Sequence, residues 1–85
     1  MKTFYFDFED GPRSMRDVEG HALSDVSDAR FEALRALAEV LLYEPSDQDR
    51  REVRCSVRTM DGGVLYQASI VLEGAYSKSR KCEHS

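Results

Sequence analysis

A single helical period set between two stretches of period-two alternation does most to restrict what this chain can fold into. From Val26 to Glu44 the apolar residues Ala29, Ala33, Leu34, Leu37, Val40 and Leu41 return every three or four positions, while Arg30, Glu32, Arg35 and Glu39 lie largely elsewhere on the wheel. This spacing predicts one amphipathic helix with one buried face. Ser24-Asp25 and Ser27-Asp28 offer side-chain oxygens to the first unpaired amides, so the helix starts between them. Alanines at 29, 33, 36 and 38 favour the helix and permit close approach to a sheet, and Pro45 with Ser46-Asp47 ends it.

Upstream, Lys2 to Glu9 places Phe4, Phe6 and Phe8 on one face and Tyr5, Asp7 and Glu9 on the other, which is the alternation of a strand. Asp10-Gly11-Pro12 then turns the chain, and Arg13 to Val18 is a short polar return with little to bury. Asp17-Val18-Glu19-Gly20 reads as a second turn, leading into a loop segment His21-Ala22-Leu23. Downstream, Arg51 to Thr59 sets Val53, Cys55 and Val57 against Glu52, Arg54, Ser56 and Arg58, and Met60-Asp61-Gly62-Gly63 is a hairpin turn. Val64 to Glu73 is rich in strand formers, with Tyr66, Ala68, Ile70 and Leu72 on one face and Leu65, Gln67, Ser69, Val71 and Glu73 on the other.

The expected fold is therefore α+β, a two-layer sandwich in which a four-stranded antiparallel sheet, in the order ββαββ, carries one helix on one face. Phe4, Phe6 and Phe8 are expected to meet Ala33, Leu34, Leu37 and Leu41, with Val53, Cys55 and Val57 completing the core. With 85 residues, 41% of them hydrophobic, the chain has material for one such core; residues 1–74 form the expected domain and 75–85 a flexible polar tail. Its longest apolar run, Val40 to Tyr43, falls far short of a membrane span, and the first fifteen residues alternate aromatic with acidic instead of forming a signal peptide. Two cysteines, Cys55 in a strand and Cys82 in the tail, make no disulfide framework, so a cytoplasmic setting is expected.

The motifs Phe4-Tyr5-Phe6-Asp7, Asp10-Gly11, Asp17-Val18-Glu19-Gly20 and Leu23-Ser24-Asp25, followed by Ala29-Arg30-Phe31-Glu32-Ala33-Leu34-Arg35-Ala36-Leu37-Ala38-Glu39, carry a resemblance. Val57-Arg58, Asp61-Gly62 and Leu72-Glu73 continue it. Over roughly residues 3 to 73 the chain resembles short uncharacterised proteins, abundant in rhizobia and related alphaproteobacteria, grouped as a domain of unknown function. The resemblance rests on order and spacing, and it implies a stand-alone protein of this size with no assigned activity. Gly63 in the turn and the basic tail with Cys82 and His84 depart from the pattern. More distantly, a hairpin followed by a capped helix resembles HicB-type antitoxins, a likeness of fold alone.

The net charge of −4 argues against a general nucleic-acid binder, yet it is unevenly spread. Residues 1–49 hold 12 acidic and 5 basic groups, and residues 50–85 hold 4 and 7, so the two parts attract each other. Arg54 and Arg58 share the outward face of one strand, with Arg50, Arg51 and the tail's Lys78, Arg80 and Lys81 nearby in sequence. They are expected to pair across strands with Asp7, Glu9 or Glu73; a nucleic-acid-binding or antitoxin-like regulator using this basic face is the alternative. Asp7, Glu9, Asp10, Asp17 and Glu19 form an acidic rim that is expected to face water rather than hold a divalent cation. Cys82, His84 and His21 fall short of a zinc set, Cys55 reads as a small buried hydrophobe, and no nucleophile has a partner at interpretable spacing.

These readings point to no cofactor and no catalytic activity and favour a non-catalytic protein-interaction module, self-associating as a homo-oligomer or binding a small protein partner, with no membrane role. A metal- or ligand-dependent enzyme on the acidic hairpin is the third reading. The expected interaction surface is the open sheet face, with Tyr5, Arg54, Arg58, Leu65 and Val71 upon it.

Overall fold

The computed structural model describes residues 1–43 and 48–77. Phenylalanine alternation builds strand β1 (Lys2–Asp10), which turns into the short β2 (Arg13–Met15); a third strand, β3 (His21–Leu23), precedes helix α1 (Val26–Tyr43). Two long strands, β4 (Arg50–Arg58) and β5 (Val64–Glu73), close the sheet. All pairings are antiparallel, in the order β2-β1-β4-β5, with β3 also pairing β1.

The expected four-stranded sheet thus has five strands, and His21 stands in a strand instead of a loop. The reason lies in the edge of β1. β2 is so short that it covers only Phe8 to Asp10, and the segment Lys2 to Phe4 is left to accept β3 in the register Thr3↔Ala22. Gly20 makes the return possible: it has φ +76°, and a Cβ there would sit 2.7 Å from Thr3 Cγ2.

Asp25, from the first of the two candidate caps, caps α1, its Oδ1 accepting the Asp28 N–H at 3.1 Å, and the helix starts at Val26, between the two. The helix lays Ala29, Ala33 and Leu37 on the sheet, where they are buried with Phe4, Phe6, Val53, Cys55 and Val57. Phe8, Leu41, Tyr66, Ala68 and Ile70 pack around this cluster, partly exposed. Leu34, an expected core residue, is 36% exposed: the buried row runs through 29, 33 and 37 at i, i+4 spacing, and Leu34 falls on its flank. Among the described residues one helix covers one face of the sheet and leaves the other open, which positions everything below. Residues 75–77 have no regular structure, while the expected Pro45 stop and the remaining tail, including Cys82 and His84, lie outside the described residues.

Candidate functional site: the open sheet face and the free edge

Because side chains alternate along strands, the register fixes what shares the open face. Tyr5 stands opposite Arg58, Asp7 opposite Ser56 and Glu9 opposite Arg54; on the other side of β4, Arg54 faces Ser69, Glu52 faces Val71 and Arg50 faces Glu73. The arginines are matched by carboxylates. Arg58 clamps Asp7, Nε to Oδ2 at 2.6 Å and Nη2 to Oδ1 at 3.2 Å, and its guanidinium lies 4.8 Å from the centre of the Tyr5 ring. Arg54 lies between Glu9 at 3.4 Å and Glu52 at 3.6 Å, and Arg50 pairs with Glu73. Sequence reasoning anticipated cross-strand pairing of Arg54 and Arg58 with Asp7, Glu9 or Glu73; the structure pairs Arg54 with Glu9 and Arg58 with Asp7.

It did not anticipate Asp17. On the edge of β1 away from β4, the stretch between β2 and β3 has no strand partner, and the Asp17 side chain takes that place. Its Oδ2 accepts the Phe6 N–H at 3.0 Å, while Oδ1 accepts the N–H groups of Glu19 at 3.1 Å and Gly20 at 3.0 Å. The Asp17 N–H in turn donates to Asp7 Oδ1 at 2.9 Å, and Arg58 Nη2 donates to the Asp17 carbonyl at 2.8 Å. Asp17 thereby imitates a missing strand with its carboxylate and, through its main-chain N–H and carbonyl, ties the loop to the Arg58–Asp7 pair. Burial pushes the Asp17 carboxyl up, but the N–H groups of Gly20, Phe6 and Glu19 outweigh it and hold the group below its ordinary range. The Arg58 guanidinium does the same for Asp7. The only available sequence signal was an aspartate three residues before a glycine after a failed strand, the pattern of a side-chain-capped turn.

A second pair lies on the helix side. Asp10 continues the phase of Phe4, Phe6 and Phe8, and Arg51 that of Val53, Cys55 and Val57, so both strands carry a charge into the buried layer. The two meet in a fork, Nε to Oδ1 at 3.2 Å and Nη2 to Oδ2 at 2.8 Å, with side chains only 7% and 10% exposed for Arg51 and Asp10. Arg51 holds the Asp10 carboxyl below its usual range. The opposite charges at matching phases are legible in the sequence.

Of the acidic rim, Asp7, Asp10 and Asp17 are thus occupied by nitrogen donors, and among the described residues no group of three or more His, Cys, Asp or Glu is placed to hold a metal ion. Cys55 is fully buried, and burial pushes its thiol up to about 11. Of the five expected surface residues, Tyr5 and Arg58 lie together, Arg54 lies between two carboxylates, and Val71 stands six residues along β4 from Arg58, about 20 Å at strand rise. Leu65 sits at a bulge, where the β4–β5 register shifts between Val57 and Arg58.

What remains unpartnered among the described residues is an edge. Gly74 N–H donates to the Asp49 carbonyl at 2.7 Å, so 49 and 74 are a hydrogen-bonded pair; by alternation, so are 51 with 72, 53 with 70 and 55 with 68. The main-chain groups of Gln67, Ser69, Val71 and Glu73 therefore point away from β4, along an edge no described strand covers. Among the described residues no helix is long and apolar enough to cross a membrane. No curated protein and no solved structure matches the chain. Residues 3–71, from β1 through most of β5, match the model of the family described as a domain of unknown function (DUF6894), and the chain belongs to that family.

Proposed function

We propose that this protein is a non-catalytic interaction module that associates with a second copy of itself through the free edge of β5. The observation that carries the reading is the length and bareness of that edge. Sheet edges invite pairing by their unmatched N–H and C=O groups, and proteins usually blunt them with short strands, lysine, proline or a central bulge. The opposite edge of this sheet is blunted, being divided between β2 and β3 of three residues each. β5 runs ten residues with no proline, lysine or arginine, and its bulge lies at the hairpin end. Val71 and Leu72 beside the edge are 51% and 42% exposed.

The neutralised face supports this reading over a nucleic-acid platform. Arg54 and Arg58 are already engaged by Glu9, Glu52 and Asp7, and Tyr5, the aromatic on that face, is stacked against Arg58. Catalysis gains no support from the carboxylates, which are held ionised by their donors and are not poised for proton transfer near neutrality. The test is sedimentation equilibrium on the wild type and on Ser69→Pro. Proline removes an N–H that faces away from β4, so the sheet keeps its internal ladder while the edge loses a donor. The expected result is a dimer for the wild type and a folded monomer for Ser69→Pro; a Ser69→Pro dimer as tight as the wild type overturns the reading.

A further inference from the structure

Resting on that reading, we propose a specific geometry: two β5 strands pair antiparallel about a two-fold axis at Ala68, joining the two sheets into one with both helices on the same face. The outward main-chain groups belong to the odd-numbered residues Gln67, Ser69 and Val71. Two copies exchange hydrogen bonds only when odd faces odd, so the numbers of paired residues add to an even sum. The same parity keeps Tyr66, Ala68 and Ile70 of both copies on the helix side, in line with the partly buried layer they already form around the core.

Side-chain matching selects among the even registers. With the axis at Ala68, Tyr66 meets Ile70 of the second copy, Leu65 meets Val71 and Gln67 meets Ser69, so apolar faces apolar and polar faces polar. An axis at Ser69 sets Gln67 against Val71. One at Ile70 sets Ser69 against Val71 and Gln67 against Glu73, and one at Gln67 sets Ser69 against Leu65. Charge agrees with the Ala68 register: from Val64 to Leu72 the strand carries no ionisable charge near neutrality, and its terminal Glu73 is already paired with Arg50 at the far end. A second copy therefore brings no like charge into the pairing. At the axis the Ala68 pair is a non-hydrogen-bonded one, where Cα atoms approach to about 4.5 Å and a methyl side chain fits.

The test is a single-cysteine scan at positions 67, 68, 69 and 70 in a Cys55→Ala, Cys82→Ser background, oxidised mildly and read as covalent dimer. Only the residue on the axis meets itself, so Ala68→Cys is expected to link on the order of tenfold faster than its neighbours. Since Cys55→Ala disturbs the core, the unmodified protein provides a second reading. In a mixture of isotope-labelled and unlabelled chains, an intermolecular proton contact is expected between the Ala68 Hα atoms of the two copies. Fastest linkage or closest contact at Ser69 or Ile70, in a protein that sediments as a dimer, overturns the register and leaves self-association standing. A monomer at every concentration overturns both.

Discussion

Replacing Asp17 with alanine removes the one side chain that stands in for a strand beside β1. Its carboxylate is 15% exposed and accepts three main-chain N–H groups, from Phe6, Glu19 and Gly20. A hydrogen bond to a charged acceptor contributes about 1.5–3 kcal/mol, but the three share one acceptor group and are not additive. The Glu19 amide is exposed and regains water after truncation, and loss of one carboxylate beside Asp7 relieves some repulsion. The Phe6 amide, part-buried between β2 and β3, recovers least. The net expectation is a loss of about 2–4 kcal/mol, or roughly 10–25 °C in Tm for a domain of this size. Urea unfolding at neutral pH measures it directly. Asp17→Asn keeps one acceptor oxygen and is expected to fall midway. An Asp17→Ala protein within about 0.5 kcal/mol of the wild type, the range of an ordinary surface change, would refute the claim that this carboxylate replaces a strand.

Three further outcomes follow from the same structure. Asp7, Asp10 and Asp17 all titrate below the ordinary aspartate value of 3.8, so their contribution to stability is fully present above that value and is lost as pH falls through the lower folded values. Urea midpoints are expected to show no loss from these groups between pH 5 and 7 and to drop below about pH 4; an acid-insensitive midpoint contradicts the assignment. Gly20→Ala, at φ +76° and with Thr3 Cγ2 2.7 Å from the new carbon, is expected to cost about 2 kcal/mol in the same assay, and no loss at all means the β3 return is formed otherwise. In a Cys82→Ser background, Cys55 is expected to react with a thiol reagent roughly a hundredfold or more slower folded than unfolded, because its thiol is buried and pushed up to about 11; equal rates place it outside the core.

How much of this was legible depended on the length over which a pattern repeats. The phenylalanines of β1, the valines around Cys55 and the alanine row of α1 each recur several times, and the structure places them as the periodicity requires. β3 has three residues, too few to show a period, and it exists because β2 leaves half of an edge uncovered, a fact of tertiary pairing. Leu34 has the right chemistry for the core and the wrong angle by less than a turn. The candidate surface was legible in part: register follows from alternation, so Tyr5 opposite Arg58 was within reach, as was the Arg51–Asp10 pair. The bareness of the β5 edge was not, because strand order is decided by which long strands bury the most against the helix.

Self-association through β5 is the central claim, and residue-resolved amide exchange on the wild-type protein, from micromolar to millimolar concentration, tests it most directly. The account predicts that the outward amides of Gln67, Ser69 and Val71 pass from free exchange to protection as concentration rises, while those of Tyr66, Ala68 and Ile70, already bonded to β4, are protected at every concentration. Outward amides that exchange freely at every concentration would contradict it.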